Sequence, residues 1–248
     1  GYSLQIYFDF SGYSDMAIGL GLFFGVRLPV NFNSPYRAKS IIEFWRRWHM
    51  TLSAFLRDYV YIPLGGSKCG SSFRLRNIFL TMLIGGVWHG AAWTFVIWGA
   101  IHASLITLNH AARLFLPQLD RMTGAVANGV KRAALLSAVM LAWVYFRADG
   151  IGAAHVVLAG LFTPIDAYTP DPMILALMTF AAALALFAPN SLEVTGYTEA
   201  IDKPLPQPAA RDVRLLRLTP MAAAATAIML AGGLAVAWRP AVFIYFNF

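Results

Sequence analysis

"NIFLTMLIGGVWHGAAWTFVIWGAIHASLITLNHAA", residues 77–112, contains no Asp, Glu, Lys or Arg, and Arg76 and Arg113 flank it. As one straight helix rising 1.5 Å per residue, such a run would reach about 54 Å, against a hydrocarbon core of about 30 Å. The stretch therefore reads as membrane helix that either tilts into the interface or breaks near its glycines. His89 is the oddity within it, an ionisable ring between Trp88 and Gly90 with no charge nearby in sequence.

The rest of the chain agrees with that reading. Of 248 residues 58% are hydrophobic and 12% charged, with a mean hydropathy of +0.60, whereas soluble domains carry about 25% charged residues. The expected fold class is an all-α polytopic membrane protein, with residues 1–248 forming a single membrane domain. A net charge of +7 fits basic loops beside anionic headgroups. No zinc-finger or RNA-binding pattern appears, so nucleic acid is not an expected partner; membrane lipid is. Cys69 is the single cysteine, which excludes an internal disulfide and a multi-cysteine metal site. Gly1 opens the chain inside an apolar stretch, which reads as a piece of a longer protein.

Outward from the central run, residues 3–26 are apolar but interrupted by Asp9 and Asp15, each expected to cap a broken helix near Ser11, Gly12 and Ser14, with lining of a substrate path as the second reading. Residues 27–40 and 62–77 read as loops, the first with two prolines and the second rich in Gly and Ser. Residues 133–147 and 151–163 read as short apolar segments, 172–189 and 220–237 as ordinary spans, and 202–217 as a proline-rich surface loop.

"IIEFWRRWHMTLSAFLRDY", residues 41–59, reads as one amphipathic interfacial helix. At 100° per residue Ile41, Trp45, Trp48, Leu52, Phe55, Leu56 and Tyr59 share a broad face, and Glu43, Arg46, Arg47, Arg57 and Asp58 lie opposite. Solvated interfacial arginines are the ordinary reading of Arg46 and Arg47; holding a phosphorylated ligand is the alternative. His49 falls at the edge of the apolar face and points inwards, where a packed core histidine is the plain interpretation. His89 stands beside Gly86 and Gly90, a G-x-x-x-G pair that admits a second helix. Intramembrane ionisable groups are functional candidates by default, and a neutral imidazole can accept a proton as a general base does. His102, His110 and His155 read as structural or as tuning the interface. No H-E-x-x-H spacing occurs, so no metal is expected.

Three stretches together, "QIYFDFSGYSDMAIGLG" (5–21), "FWRRWHMTLSAFLRDYVYIPLGG" (44–66) and "GGVWHGAAWTFVIWG" (85–99), resemble the membrane-bound O-acyltransferase family, and within it the alginate O-acetyltransferase branch. "WVYFRA" (143–148) and "FIYFNF" (243–248) resemble that branch more weakly. The resemblance implies a helical membrane fold with further helices ahead of Gly1, re-entrant or interfacial pieces, and a tunnel where acyl donor and hydroxyl acceptor meet. It implies that His89 is the catalytic histidine and His49 the second one at the site. Arg46, Arg47, Trp48 and Trp88, beside them in sequence, are the substrate-binding candidates. It further implies no bound cofactor, acetyl-CoA or another acetyl donor as substrate, and an exported polysaccharide such as alginate or periplasmic acetyl-transfer proteins as partners. The place would be the bacterial inner membrane, crossed several times. D-alanyl transfer is the nearest alternative chemistry. A channel or transporter, with the histidines, Asp9 and Asp15 along a proton or ligand path, is the alternative of another class, although no internal repeat supports it.

Overall fold

The computed structural model describes residues 1–68, 70–118, 122–163 and 171–197, with Ala231 alone beyond them. The expected span at 220–237, the loop at 202–217 and the motif at 243–248 lie outside the described residues. Among the described residues the regular structure is helical throughout, with no strand. The helices are α1 (Tyr2–Phe23), α2 (Ile41–Trp45), α3 (Met50–Leu56), α4 (Ser71–His89), α5 (Trp93–Phe115), α6 (Ala125–Arg147), α7 (Ile151–Gly160), α8 (Pro172–Phe187) and α9 (Ser191–Thr195). A π-helical turn, Arg57–Tyr61, continues α3.

The long uncharged run breaks at its glycines. α4 ends at His89, Gly90 is extended, and α5 begins again at Trp93. The two helices then fold back on each other through glycine. A Cβ on Gly86 would sit 2.5 Å from the Phe95 carbonyl oxygen and 3.1 Å from Gly99 Cα, and a Cβ on Gly99 would sit 2.8 Å from the Met82 carbonyl oxygen. The expected G-x-x-x-G face is thus corrected: Gly86 pairs with Gly99, while Gly90 has left the helix and meets the Phe95 ring, whose Cε2 would be 2.6 Å from a Cβ there.

Four other expectations change. α4 begins at Ser71, inside the stretch 62–77 expected as a loop. α1 runs unbroken through Asp9 and Asp15, so neither caps a helix; the Asp15 carboxylate instead meets the Ser191 side chain at the start of α9. α6 begins eight residues before the apolar segment expected at 133, because Lys131 and Arg132 lie within its first turns without ending it. Lys131 is long enough to reach back and donate to the Met122 carbonyl at 2.9 Å. Residues 41–59 are not one helix: α2 and α3 are separated by a turn in which His49 has left-handed backbone, φ 43° and ψ 56°. Of the apolar face drawn across that turn, Ile41, Trp48, Leu52 and Leu56 are buried, while Phe55 and Tyr59 are exposed.

α5 over Trp93–Arg113 and α6 are each long and apolar enough to cross a membrane. α8 buries little: Met173, Leu175, Leu177, Phe180 and Phe187 are all exposed. A surface of that kind belongs against lipid or another apolar face, not water. The core lies where α2, the His49 turn, α5 and α6 converge, built from Phe44, Trp48, Trp98, Val139, Trp143 and Phe146 with Ile6 and Tyr7 of α1 against it. Dense aromatic packing of this sort gives a rigid wall, since ring pairs lock one another edge to face. That wall encloses the site.

Candidate active site

Sequence spacing alone left His49 and His89 forty residues apart, and the fold brings them to one cavity. Its lining is Ile6 and Phe10 of α1, Trp45 of α2, Trp48 and His49 of the turn, Leu52 of α3, His89 of α4, Trp98 of α5, and Trp143 and Phe146 of α6. The space it encloses is small, about 10 Å³, room for a single water molecule. His49 and His89 are the titratable groups among those ten residues.

His89 owes its place to the end of α4. As the last helical residue it is held by rings on several sides: Trp98 at 5.2 Å and Phe146 at 5.0 Å, both edge to face, and Trp88 at 5.1 Å. α4 cannot drift from α5 there, because the Gly86–Gly99 approach fixes the hairpin one turn earlier.

His49 is placed by its backbone. A non-glycine residue with positive φ is uncommon, and histidine is among the side chains that tolerate it best. Here the turn is tied down on both sides. Met50 N donates to the Asn31 carbonyl at 3.0 Å, Asn33 N to the Arg47 carbonyl at 3.0 Å, and Ser53 Oγ to the Trp45 carbonyl at 3.2 Å. The imidazole packs edge to face on Phe10 at 4.8 Å and its Nδ1 lies 3.1 Å from Asn31 Oδ1. Burial holds its pKa down at about 3, with His89 pushing the same way. The ring at rest is therefore neutral.

The remaining expected site residues separate into two groups. Trp48 is buried in the cavity wall, stacked on Phe44 and 5.1 Å from Trp143. Arg46, Arg47 and Trp88 do not line the cavity. Arg46 is exposed; Arg47 is paired with Glu43 at 2.8 Å and donates to the Asn33 carbonyl; Trp88 is 56% exposed with one side on His89. His102 lies fully buried one helical turn beyond Trp98, 4.7 Å from that ring and 5.1 Å from Trp45. His110 accepts from Arg74 at 2.9 Å, and His155 is exposed beside Tyr145. No group of three or more His, Cys, Asp or Glu among the described residues could hold a metal ion.

Sequence reading passed over Asn31, Trp98, Trp143 and Phe146. The three aromatics look like any buried ring in an apolar run. Asn31 sits in "VNFNSP", where an asparagine reads as turn chemistry.

A pair of half-buried histidines, walled by aromatics and brought together from a turn and a helix end, is an arrangement that can move a proton in an apolar setting. The sequence pattern of the membrane-bound O-acyltransferase family matches residues 1–147, more than half of the chain, and the protein belongs to that family. It is 49% identical over 164 residues to the peptidoglycan O-acetyltransferase of Helicobacter pylori, an overlap of 64% of this chain and 30% of that protein. It is 46% identical over 206 residues to the probable alginate O-acetylase AlgI of Azotobacter vinelandii, covering 82% of this chain and 40% of the relative. A teichoic acid D-alanyltransferase of Bacillus subtilis shares 40% identity over 114 residues, 43% of this chain and 29% of its own. The chain thus spans well under half the length of these relatives. It is a membrane protein, as its family is.

Proposed function

We propose that the protein is a membrane O-acetyltransferase that passes an acetyl group from a donor on the cytoplasmic side to hydroxyls of an exported polysaccharide, or to a protein that completes that transfer. The observation that carries this reading is the convergence of His49 and His89 on one aromatic cavity. Relatives named for O-acetylation of peptidoglycan and of alginate support acetyl as the group moved and a polysaccharide as its destination. The D-alanyltransferase overlaps less of the chain, and D-alanyl transfer is the second reading. The setting that belongs to this reading is a bacterial inner membrane, crossed several times.

Acyl transfer to an alcohol needs a base, because a neutral hydroxyl is a weak nucleophile. His89 takes the hydroxyl proton as the oxygen attacks the acetyl carbonyl carbon. The tetrahedral intermediate then collapses, the bond from carbon to the donor's sulfur or oxygen breaks, and the leaving group recovers the proton from the His89 imidazolium. An ester and the protonated donor remnant leave; no electron changes hands. Acetyl-CoA is the simplest donor of this kind. The aromatic walls exclude water, which would otherwise take the acetyl group. Trp48 shapes the substrate side of the wall, while Arg46, exposed near the turn, is the candidate cation for a donor phosphate.

The test is transfer of labelled acetyl to polysaccharide by membranes carrying the protein or its His89→Ala variant. The variant is expected to insert at normal abundance and to lose transfer by at least about a hundredfold, the usual scale for removing a general base. Transfer at the wild-type rate from a normally inserted variant would overturn the assignment.

A further inference from the structure

Asn31 was invisible in the sequence, yet its side chain makes more polar contacts at the site than either histidine does. Its Oδ1 lies 3.3 Å from Thr51 N, 3.1 Å from Thr51 Oγ1 and 3.1 Å from His49 Nδ1, and its Nδ2 donates to Ser14 Oγ at 3.4 Å. The Thr51 backbone N–H can only donate. That settles which end of the amide faces the turn: it is the oxygen. An oxygen cannot donate, so the His49 Nδ1 facing the same atom must carry the proton. In a neutral ring the second nitrogen is then bare.

We propose that Asn31 is a positioning residue that fixes His49 as the Nδ1–H tautomer, leaving Nε2 as a hydrogen-bond acceptor for the reaction cavity. This rests on the acyltransferase reading of the cavity and narrows it. A neutral His49 held this way has no N–H with which to polarise the donor carbonyl. It accepts instead, from a His89 ring N–H or from the acceptor hydroxyl, and so orients the group that moves the proton. Thr51 Oγ1, 3.3 Å from Nδ1, donates to the same Asn31 oxygen and reinforces the arrangement. The main-chain bond from Met50 N to the Asn31 carbonyl ties Asn31 to the left-handed turn itself, so the residue that bends the chain at His49 also sets its proton.

Two measurements test this. The first needs no substitution at Asn31: side-chain ¹⁵N spectra of the histidine-labelled full protein in micelles, with His49 assigned by its loss in His49→Gln. The expected signal is a protonated Nδ1 and an unprotonated Nε2; a protonated Nε2 would overturn the proposal. The second is the pH profile of acetyl transfer by Asn31→Asp. Its carboxylate accepts the same hydrogens but favours the imidazolium, so the acid limb of kcat/KM is expected to move to higher pH by about one to three units. The groups bordering the cavity from α1, α2, α3, α5 and α6 are Ile6, Phe10, Trp45, Leu52, Trp98, Trp143 and Phe146, none of which titrates; His89 on α4 is the one other that can. Asn31→Leu should lower kcat roughly 10–100-fold, as loss of an orienting partner does, with KM little changed. An unmoved limb in a folded Asn31→Asp protein would overturn the proposal. If His89→Ala loses transfer while Nε2 proves protonated, the proposal alone fails. If His89→Ala keeps transfer, the acyltransferase site fails, and the spectrum still judges Asn31.

Discussion

Substituting Gly86 by Ala adds one methyl group where the backbones of α4 and α5 come closest. The new carbon would sit 2.5 Å from the Phe95 carbonyl oxygen and 3.1 Å from Gly99 Cα. Carbon and oxygen rest about 3.3 Å apart or more, so the helices must part by roughly 0.8 Å. Neither neighbour is a flexible side-chain end, and the backbone itself must give. Overpacking of this kind costs about 1–3 kcal/mol, offset by up to about 1 kcal/mol because alanine suits a helix better than glycine. The net loss of roughly 1–2 kcal/mol lowers the thermal midpoint by about 2–8 °C for a chain of this size. Activity should suffer more than stability does, since His89 lies one turn from Gly86 and a misplacement near 1 Å costs about a hundredfold in rate. Gly129→Ala on α6, where nothing among the described residues lies within 4 Å of the added carbon, serves as the control and should melt no lower than the parent. Tryptophan fluorescence in micelles reads the midpoint, and labelled-acetyl transfer reads the rate. If Gly86→Ala matches Gly129→Ala in both, the glycine contact does not hold the site together.

Three further substitutions probe other parts of the account. Asn77 is fully buried and donates to the Leu64 and Gly66 carbonyls at 2.9 and 3.2 Å; Asn77→Leu strands both and should cost about 2–4 kcal/mol, read as a lower midpoint. Asn190 caps α9 and donates to Asn33 Oδ1 at 3.0 Å and Ser34 Oγ at 2.8 Å; Asn190→Ala should cost about 2 kcal/mol and loosen the 31–37 segment, seen as faster amide exchange there. Neither ring nitrogen of His102 has a hydrogen-bond partner among the described residues, so His102→Phe removes an unsatisfied polar group from an aromatic nest. It should leave the midpoint unchanged or higher and transfer intact; loss of transfer would bring His102 into the chemistry.

The sequence shows some of this plainly and hides the rest for physical reasons. An uncharged run too long for one crossing has to tilt or break, and the break falls at Gly90, beside a Phe95 ring that leaves no room for a Cβ. His89 stands out for the same reason any ionisable group does in such a run. His49 is different. Its inward orientation was read from a continuous helix that does not exist, and the ring reaches the cavity through a left-handed turn. Helical periodicity carries no information about such a turn, since it depends on bonds from Asn31 and Asn33, far off in the chain. Asp9 and Asp15 misled in the opposite sense: a carboxylate in an apolar stretch suggests a helix end, but packing against α9 supports Asp15 mid-helix. Phe55 and Tyr59 lie exposed beyond the His49 turn, while Leu52 and Leu56 of the same apolar face stay buried.

A double-substitution cycle on acetyl transfer tests most directly whether the two histidines form one reaction site. His49→Gln, His89→Gln and the double variant would be compared for kcat/KM in membranes at matched abundance. Residues that act as a unit are strongly non-additive, so the double variant is expected to be no slower than about the slower single one. If the two losses instead multiply, or if either single variant transfers acetyl at the full rate, His49 and His89 do not act together.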